Sequence, residues 1–412
     1  MNHAARRGAV LIALGFATSG PAAAQGAPPV AAQGPPPVAA QSRLENGPAP
    51  SARAVTLAIT YNSDANADVF GGRRKGTAYL QRVGIIGDAD LARAVGWRGA
   101  TAHVSIQSIV GKGLSASRVG NLLTVSGIEA PPALRLFNLW FEQKLGSASL
   151  RAGQFTAGQE FAISPTASLF VNSTFGWPGS FAIDLPGGGP AYPIAVPGLR
   201  LAATADSGRT TARAALFTGN PPGRDVHGLA GWRLERPPLA IAEIVRAGVG
   251  DDPAWTVTIG GWVSFDRYAD LRTPANATMH GDRAVYAIVD GRLWQRGGRS
   301  LHAFARVTAS PADRNLIRRY ADAGVTLAGA IASRPSDVIG LAAAAAFITP
   351  IGGRSPPPEK AIELSYQAHL GANFYLQPNV QAIIDVYDPD RPAPSTPNRS
   401  ALVGGVRTSL RF

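Results

Sequence analysis

Nine polar-face residues could contact a solute: two tryptophans, five arginines, one glutamate and one glutamine. They are Trp140, Glu142, Arg151, Arg200, Arg213, Trp262, Arg306, Gln381 and Arg407. Guanidinium, carboxylate and amide groups exchange hydrogen bonds, and an Arg and a Glu that face each other also hold one another in place. An indole ring adds an apolar surface along which a solute can slide. This set of residues is suited to weak, reversible contacts.

The same sequence argues against an enzyme, which stays a remote alternative. The six His residues include His3 near the start, and the others stand singly, outside Gly-x-Ser-x-Gly and His-Glu-x-x-His contexts. With no cysteine, disulfide frameworks, thiolate zinc sites and cysteine nucleophiles are excluded. No His, Asp and Glu cluster has the spacing of metal ligands. We therefore expect no catalytic residue, metal or cofactor.

Segments of about nine to thirteen residues with a two-residue period carry the polar-face residues. In one of them, Phe137, Leu139 and Phe141 form the apolar face, opposite Trp140 and Glu142. Such lengths suit tilted strands that cross a membrane. The pattern predicts roughly sixteen to eighteen strands. The segments 176–198 and 268–281 are expected to be extracellular or pore-folding loops.

The last thirteen residues, 400–412, are predicted to form the strand that closes a barrel. Leu402, Val406, Leu410 and the terminal Phe412 share one face, while Arg407 and Arg411 share the other. A terminal Phe is typical of the last strand of an outer-membrane barrel, where it lies at an aromatic girdle and is the expected signal for the assembly machinery.

The composition favours a transmembrane barrel over a soluble β-sandwich. Only 16% of the residues are charged, against about 25% in typical soluble domains. Apart from the N-terminus there is no apolar run of the ~20 residues that a membrane helix needs. We predict an all-β, antiparallel transmembrane barrel of about 16 strands with a water-filled lumen.

The N-terminal fifty residues are expected to lie outside the barrel. Residues 1–25 combine Arg6-Arg7, an apolar run and a small-residue cleavage site, as a signal peptide does. Residues 26–50 contain a tandem Pro-rich repeat, which predicts a disordered periplasmic tether. This tether is either a plain spacer or a contact to the cell wall. Residues 51–412 form the barrel domain.

The formal net charge is +12, and all but four of the basic residues are Arg. The alternatives are high-GC codon usage, an Arg-lined passage that prefers anions, and contact with anionic outer-membrane lipid. No nucleic-acid partner is expected, because the basic residues form no dense patch.

Motifs along the barrel segment resemble the carbohydrate-selective porin family, of the outer-membrane porin B type. The resemblance rests on Leu139-Trp-Phe-Glu-Gln143, Leu150-Arg-Ala-Gly-Gln-Phe155, Glu160-Phe161, Ser168-Leu-Phe-Val-Asn-Ser-Thr-Phe-Gly-Trp-Pro178, Ala240-Ile-Ala-Glu243, Phe304-Ala-Arg-Val307 and Leu376-Gln-Pro-Asn-Val-Gln381. It covers almost all of 54–412, but neither the Pro-rich segment nor the loop around Gly187. The resemblance implies a sixteen-stranded barrel in the bacterial outer membrane that passes small neutral sugars, glucose above all, by diffusion.

The resemblance gives the polar-face residues a role and adds Glu243 to them. The strand period leaves Glu243 ambiguous because Ile241 and Val245 share its face, so only its position in the motif supports it. Arg and Glu would exchange hydrogen bonds with sugar hydroxyls, and the indoles would meet the C–H faces of the ring. The structural alternatives are that Trp140 and Trp262 fill space under a loop and that a single Arg is a strut. A general or anion-preferring diffusion porin is the alternative function.

Overall fold

The chain forms a closed antiparallel barrel in which β1 pairs with β16 and every other strand pairs with its neighbours in sequence. The structure, a computed structural model, describes residues 53–219, 221, 225–234, 236–250, 252–272, 277–351, 355–388 and 400–412. The predicted signal peptide and Pro-rich tether lie outside the described residues. The strands are β1 (Val55–Gly71), β2 (Gly76–Asp90), β3 (Ala100–Gly111), β4 (Ala133–Leu145), β5 (Ala148–Phe155), β6 (Val196–Ala205), β7 (Thr210–Phe217), β8 (Leu239–Ala247), β9 (Trp255–Ala269), β10 (Thr278–Arg296), β11 (Arg299–Ala309), β12 (Ile317–Ala328), β13 (Val338–Ile348), β14 (Glu359–Gly371), β15 (Phe374–Ile384) and β16 (Ala401–Arg411).

The last strand closes the barrel, as the sequence predicts. Arg407 on β16 lies directly across from Asp64 on β1, and both side chains point inwards. Leu402, Val406 and Phe412 are exposed on the outside. The predicted fold class is therefore confirmed.

One predicted strand face is wrong, because a β-bulge lies within β4. The register between β3 and β4 shifts between Ser105 and Ile106, and two residues of β4 then point inwards in succession. Phe137 is consequently buried inside the barrel, whereas Leu139 and Phe141 keep the predicted outward direction. A strict two-residue period cannot anticipate such an extra residue.

The two rims of the barrel differ in the length of their connections. The rim that carries Phe412 has short turns, such as 146–147, 297–298 and 372–373, and includes α1 (Leu91–Val95). The opposite rim carries the long connections, in which lie α2 (Ser173–Gly176), α3 (Gly179–Asp184), the π-helix Ser115–Val119 and the 3-10 turns Ala157–Gln159, Ala167–Leu169, Pro186–Gly188 and Ala230–Arg233. Short turns are typical of the periplasmic end of such barrels. The predicted loop at 268–281 is shorter than expected, since β9 extends to Ala269 and β10 begins at Thr278.

Two of the long connections fold into the barrel. We call residues 112–132 the first inserted segment and residues 156–195 the second. The second contacts inward-facing groups from well-separated strands: Glu243 of β8 accepts from the Ala162 N–H at 3.0 Å, and Glu363 of β14 accepts from the Val171 N–H at 2.7 Å. The segment thus crosses the lumen. The predicted loop at 176–198 lies in this segment up to residue 195, where Phe181 packs against inward-facing Trp262, whereas β6 begins at Val196.

The inserted segments pack against each other and against the inner wall. Gly127 of the first donates a backbone hydrogen bond to Val171 of the second at 2.8 Å. Buried apolar side chains of the segments, including Phe170 and Phe175, pack with inward-facing Phe304 and Tyr320. Burial of this apolar surface holds the segments in the lumen. Among the described residues, no helix has the length and apolar character needed to cross a membrane.

Candidate functional site

Four charged side chains form a closed ring on the inner wall, which we call the charge quartet: Glu142, Arg151, Glu160 and Arg200. Arg151 Nε donates to Glu142 Oε2 at 2.8 Å, and Arg200 Nη2 donates to the same oxygen at 2.7 Å. Arg200 Nε donates to Glu160 Oε2 at 2.8 Å, and an Arg151 amino group donates to the other Glu160 oxygen. The strand register accounts for three members, since Glu142, Arg151 and Arg200 lie side by side on β4, β5 and β6.

Trp140 supports the quartet from the side. The Arg151 guanidinium lies 3.6 Å from the centre of the Trp140 ring, close enough for a cation–π contact. The His103 ring stacks on the indole at 4.8 Å between centroids, and His103 Nδ1 lies 2.7 Å from an Asp88 oxygen. Two neighbours thus flank the indole ring, which is 3% exposed.

A glycine makes room for this stack. Gly153 lies directly across from Trp140 on β5 and has a φ of +136°, which side chains rarely adopt. A Cβ at this position would lie 2.6 Å from the Trp140 Cα. The Gly in the Leu150–Phe155 motif therefore has a steric role beneath the tryptophan.

Arg213 and Glu243 form a second pair, next to the quartet. Arg213 Nη1 donates to Glu243 Oε1 at 3.0 Å and to the Glu160 carbonyl oxygen at 2.7 Å. Tyr286 donates to Glu243 Oε2 at 2.8 Å. Ile241 points inwards with Glu243, so the apolar neighbour that made the sequence ambiguous packs under the second inserted segment. The Arg213 side chain is 32% exposed, more than any member of the quartet.

Trp262 and Arg306 are more deeply enclosed. Arg306 pairs with Asp322, and neither side chain has exposed surface. Arg306 also donates to the Ala162 and Thr174 carbonyl oxygens of the second inserted segment, at 3.0 and 2.8 Å. Trp262 is 2% exposed and meets Phe181 edge-to-face, at 5.9 Å between ring centroids. Both residues contact the inserted segment and leave almost no surface for a solute in this arrangement.

Arg407 and Gln381 lie on β16 and β15, apart from the contacts on β4 to β8. Arg407 donates two hydrogen bonds to the Asp64 carboxylate, from Nε to Oδ1 and from Nη2 to Oδ2, both at 2.7 Å. Gln381 is fully buried and donates to the Val125 carbonyl oxygen of the first inserted segment at 2.9 Å. The ten residues selected from the sequence therefore do not form one constriction. Six of them, Trp140, Glu142, Arg151, Arg200, Arg213 and Glu243, belong to connected contacts on β4 to β8.

Every arginine selected from the sequence has a carboxylate partner. Arg151 and Arg200 share Glu142 and Glu160, and the other three pairs are Arg213–Glu243, Arg306–Asp322 and Arg407–Asp64. Five positive and five negative formal charges therefore cancel locally, and these arginines leave no excess positive field.

Several residues that make contacts inside the barrel were not predicted from the sequence. Glu160 completes the quartet from a connection, where the strand period does not apply, although its motif appears in the resemblance. The Arg82 guanidinium lies 5.4 Å from the centre of the Tyr192 ring, and Tyr192 donates to the Ile128 carbonyl oxygen at 2.9 Å. Arg135 donates to the Pro193 carbonyl oxygen at 2.9 Å. Both inserted segments and the wall therefore meet at Tyr192.

Two carboxyl groups of the inserted segments are perturbed by their surroundings. Burial raises the pKa of Asp184 well above its usual value, although its carboxylate accepts from the Ile317 N–H at 3.0 Å. Burial likewise raises the pKa of Glu129, which accepts from the Ser115 N–H. Loss of solvation is the dominant cause at both positions.

Solved structures show the same fold. Pseudomonas putida OprB at high pH superposes with a TM-score of 0.77 and 20% identity, covering 87% of this chain and 94% of that chain. The low-pH structure of Pseudomonas putida OprB has a TM-score of 0.56 and 16% identity, with 87% and 93% covered. A loop L8 deletion mutant of Vibrio cholerae OmpT has a TM-score of 0.51 and 10% identity, with 87% and 100% covered. A comparison with curated proteins finds no match.

The family comparison covers most of the barrel. The family described as carbohydrate-selective porin, OprB family, matches residues 74–412. This agrees with the resemblance read from the motifs and with the sixteen-stranded fold. The chain is a transport channel, a carbohydrate-selective porin of the outer membrane, and it belongs to the carbohydrate-selective porin, OprB family.

Proposed function

We propose that small neutral sugars of the size of glucose diffuse through this barrel past the charge quartet and Arg213. The observation that carries the proposal is the closed Glu142–Arg151–Glu160–Arg200 ring on the inner wall, to which the second inserted segment contributes Glu160. The ring offers hydrogen-bond groups with no net charge. A neutral, hydroxyl-rich solute can exchange hydrogen bonds with such a wall without a large electrostatic barrier.

The guanidinium groups are the expected contacts for the solute. Each has five N–H donors in a planar fork, which suits hydrogen bonds to hydroxyl oxygens. Arg213 is the most accessible of the set, with a side chain that is 32% exposed. In this proposal Trp140 positions Arg151, because its indole ring contacts the Arg151 guanidinium and stacks on His103. Trp262, Arg306, Gln381 and Arg407 hold the inserted segments and the barrel seam.

Liposome swelling with purified variants tests the proposal. Arg213→Gln should slow the entry of glucose, because it removes an accessible guanidinium. Arg283→Gln, on the outer face of β10, is the matched control and should not change it. Equal swelling rates for glucose in the native protein and in Arg213→Gln would contradict the assignment of Arg213 to the path.

An anion-preferring general porin is the second candidate, favoured by the formal net charge of +12. Arginines outside the matched pairs would then set the field in the lumen. Reversal potentials in a salt gradient distinguish the two, since an anion-preferring pore gives a clear anion preference and a neutral wall gives a small one.

We also propose that residues 1–25 direct export, that residues 26–50 form a periplasmic tether and that Phe412 engages the assembly machinery. The support is the signal-like pattern of residues 1–25 and the exposed position of Phe412 at the short-turn rim. Deletion of residues 26–41 should leave sugar entry unchanged and would reduce cell-wall association only if the tether binds there. Deletion of Phe412 should lower the yield of assembled barrel.

A further inference from the structure

The outer wall of β6 to β9 contains an apolar groove. Its volume is about 430 Å³. Four exposed alanines, one from β6, two from β7 and one from β8, form the floor between larger aliphatic side chains: Ala203, Ala212, Ala214 and Ala242, with Leu201 and Ile259 at the sides.

Strand pairing accounts for the shape of the groove. Leu201, Ala214 and Ala242 form one row across the strands, and Ala203 and Ala212 lie in the next row. Small side chains in adjacent rows leave a depression. The charged residues that border the groove, Arg213 and Glu243, pair with each other on the inner face, so the exposed side chains of the groove are apolar.

A cationic cluster stands at the short-turn end of the groove. Arg246 is two residues beyond Ile244 on the same face of β8, about 7 Å farther at about 3.3 Å per residue. Its guanidinium bonds Asp206 and Thr210, and Arg209 occupies the adjoining turn. Two arginines face one aspartate, so the cluster keeps a positive formal charge.

An exposed tryptophan lies at the same end of the barrel wall as the Arg246 cluster. Trp255, at the short-turn end of β9 on the outer face, is 45% exposed. Tryptophans at this depth are typical of the boundary between the hydrocarbon core and the headgroups. The cluster around Arg246 therefore lies where phosphate groups lie, and the groove extends from it towards the middle of the bilayer.

We propose that this groove binds one acyl chain of an anionic phospholipid of the periplasmic leaflet, whose phosphate contacts Arg246 and Arg209. A flexible chain of methylene groups fits the apolar floor, and guanidinium groups bind phosphate through paired N–H donors. Charge favours this occupant over a second copy of the chain. A two-fold contact here would bring the Arg246 clusters of both copies to the same interface.

Native mass spectrometry of the full-length protein, titrated with phosphatidylglycerol, tests the proposal. Ala214→Phe fills the groove and should abolish binding of the lipid, whereas Ala343→Phe, on the outer face of β13, should not. Arg246→Gln should weaken binding about fivefold, the factor expected for one basic residue near a lipid surface. Arg283→Gln, towards the opposite rim, is its control. The two arginine variants keep the test informative if Ala214→Phe fails to assemble.

Several results would overturn the proposal. They are equal binding of phosphatidylcholine, unchanged binding in both Ala214→Phe and Arg246→Gln, full displacement by inorganic phosphate, or preferential binding of lipid A in the groove. A lipid-free mass of two chains that Ala214→Phe abolishes would assign the groove to a second copy. None of these outcomes bears on sugar passage, which liposome swelling measures separately.

Discussion

Replacing Glu142 by Gln removes one of the two carboxylates that hold Arg151 and Arg200. Both arginines donate to the same Glu142 oxygen, at 2.8 and 2.7 Å, and only Glu160 remains to balance them in the variant. The side chains of the quartet are 6 to 11% exposed, so solvent screens them little. Removing one partner of a buried pair costs about 3–5 kcal/mol. We expect a loss near the lower end, about 3 kcal/mol, because Gln keeps one acceptor.

The same substitution leaves one uncompensated positive charge on the wall of the pore. An ion passing at about 5 Å in water feels about 0.8 kcal/mol from it. Screening at about 0.1 M salt reduces this to about 0.5 kcal/mol. The sign is opposite for anions and cations, so their permeability ratio should shift towards anions by about fivefold.

Reversal potentials in a salt gradient across planar bilayers measure this shift. Arg151→Gln should move the ratio towards cations, and the double variant Glu142→Gln with Arg151→Gln should return it near the native value. Urea unfolding of each variant gives the stability change independently. If Glu142→Gln and Arg151→Gln shift the ratio in the same direction, or not at all, the quartet does not face the ion path and the reasoning is wrong.

Three further perturbations test the supporting structure. Trp140→Ala should lower the unfolding free energy in urea by about 3–5 kcal/mol. It should also slow glucose entry, because the ring that supports the Arg151 guanidinium is lost, and Trp140→Phe should restore part of the rate. Unchanged glucose entry in Trp140→Ala would contradict this role. Glu363→Ala removes the acceptor for two backbone N–H groups of the second inserted segment, each bond being worth about 1.5–3 kcal/mol. The single-channel conductance and disaccharide entry should both rise, and a native conductance would contradict the anchoring role. Burial raises the pKa of Asp184, so the folded chain binds this proton more tightly than the unfolded chain does. The unfolding free energy should therefore rise as the pH falls towards the ordinary Asp pKa of about 3.9, and Asp184→Asn should flatten that part of the pH profile; an unchanged profile would argue against it.

Much of the barrel could be predicted from the sequence because its signal is periodic. Leu402 and Arg407 on alternating faces of the last strand are enough to assign outside and inside, and the same period works for β9, β11 and β15. It fails at Phe137, where a β-bulge adds one residue. The two-residue period also carries no information about connections. How far the second inserted segment extends into the lumen therefore could not be predicted.

The site was harder to predict because its contacts are long-range. Glu142, Arg151 and Arg200 have the correct face, but Glu160 reaches them from a connection with no periodic signal. Strand parity shows that Trp140 points inwards but not that its ring is flanked by two neighbours. Inward direction alone does not distinguish a solute contact from an anchor.

Liposome swelling with a panel of sugars and size-matched solutes is the most direct test of a carbohydrate-selective path. Neutral monosaccharides should enter faster than disaccharides and faster than neutral solutes of equal size that lack a ring of hydroxyls. Anionic sugar acids should gain no advantage, because the arginines are matched by carboxylates. Equal, size-limited rates across the panel would contradict the account and leave a general diffusion pore.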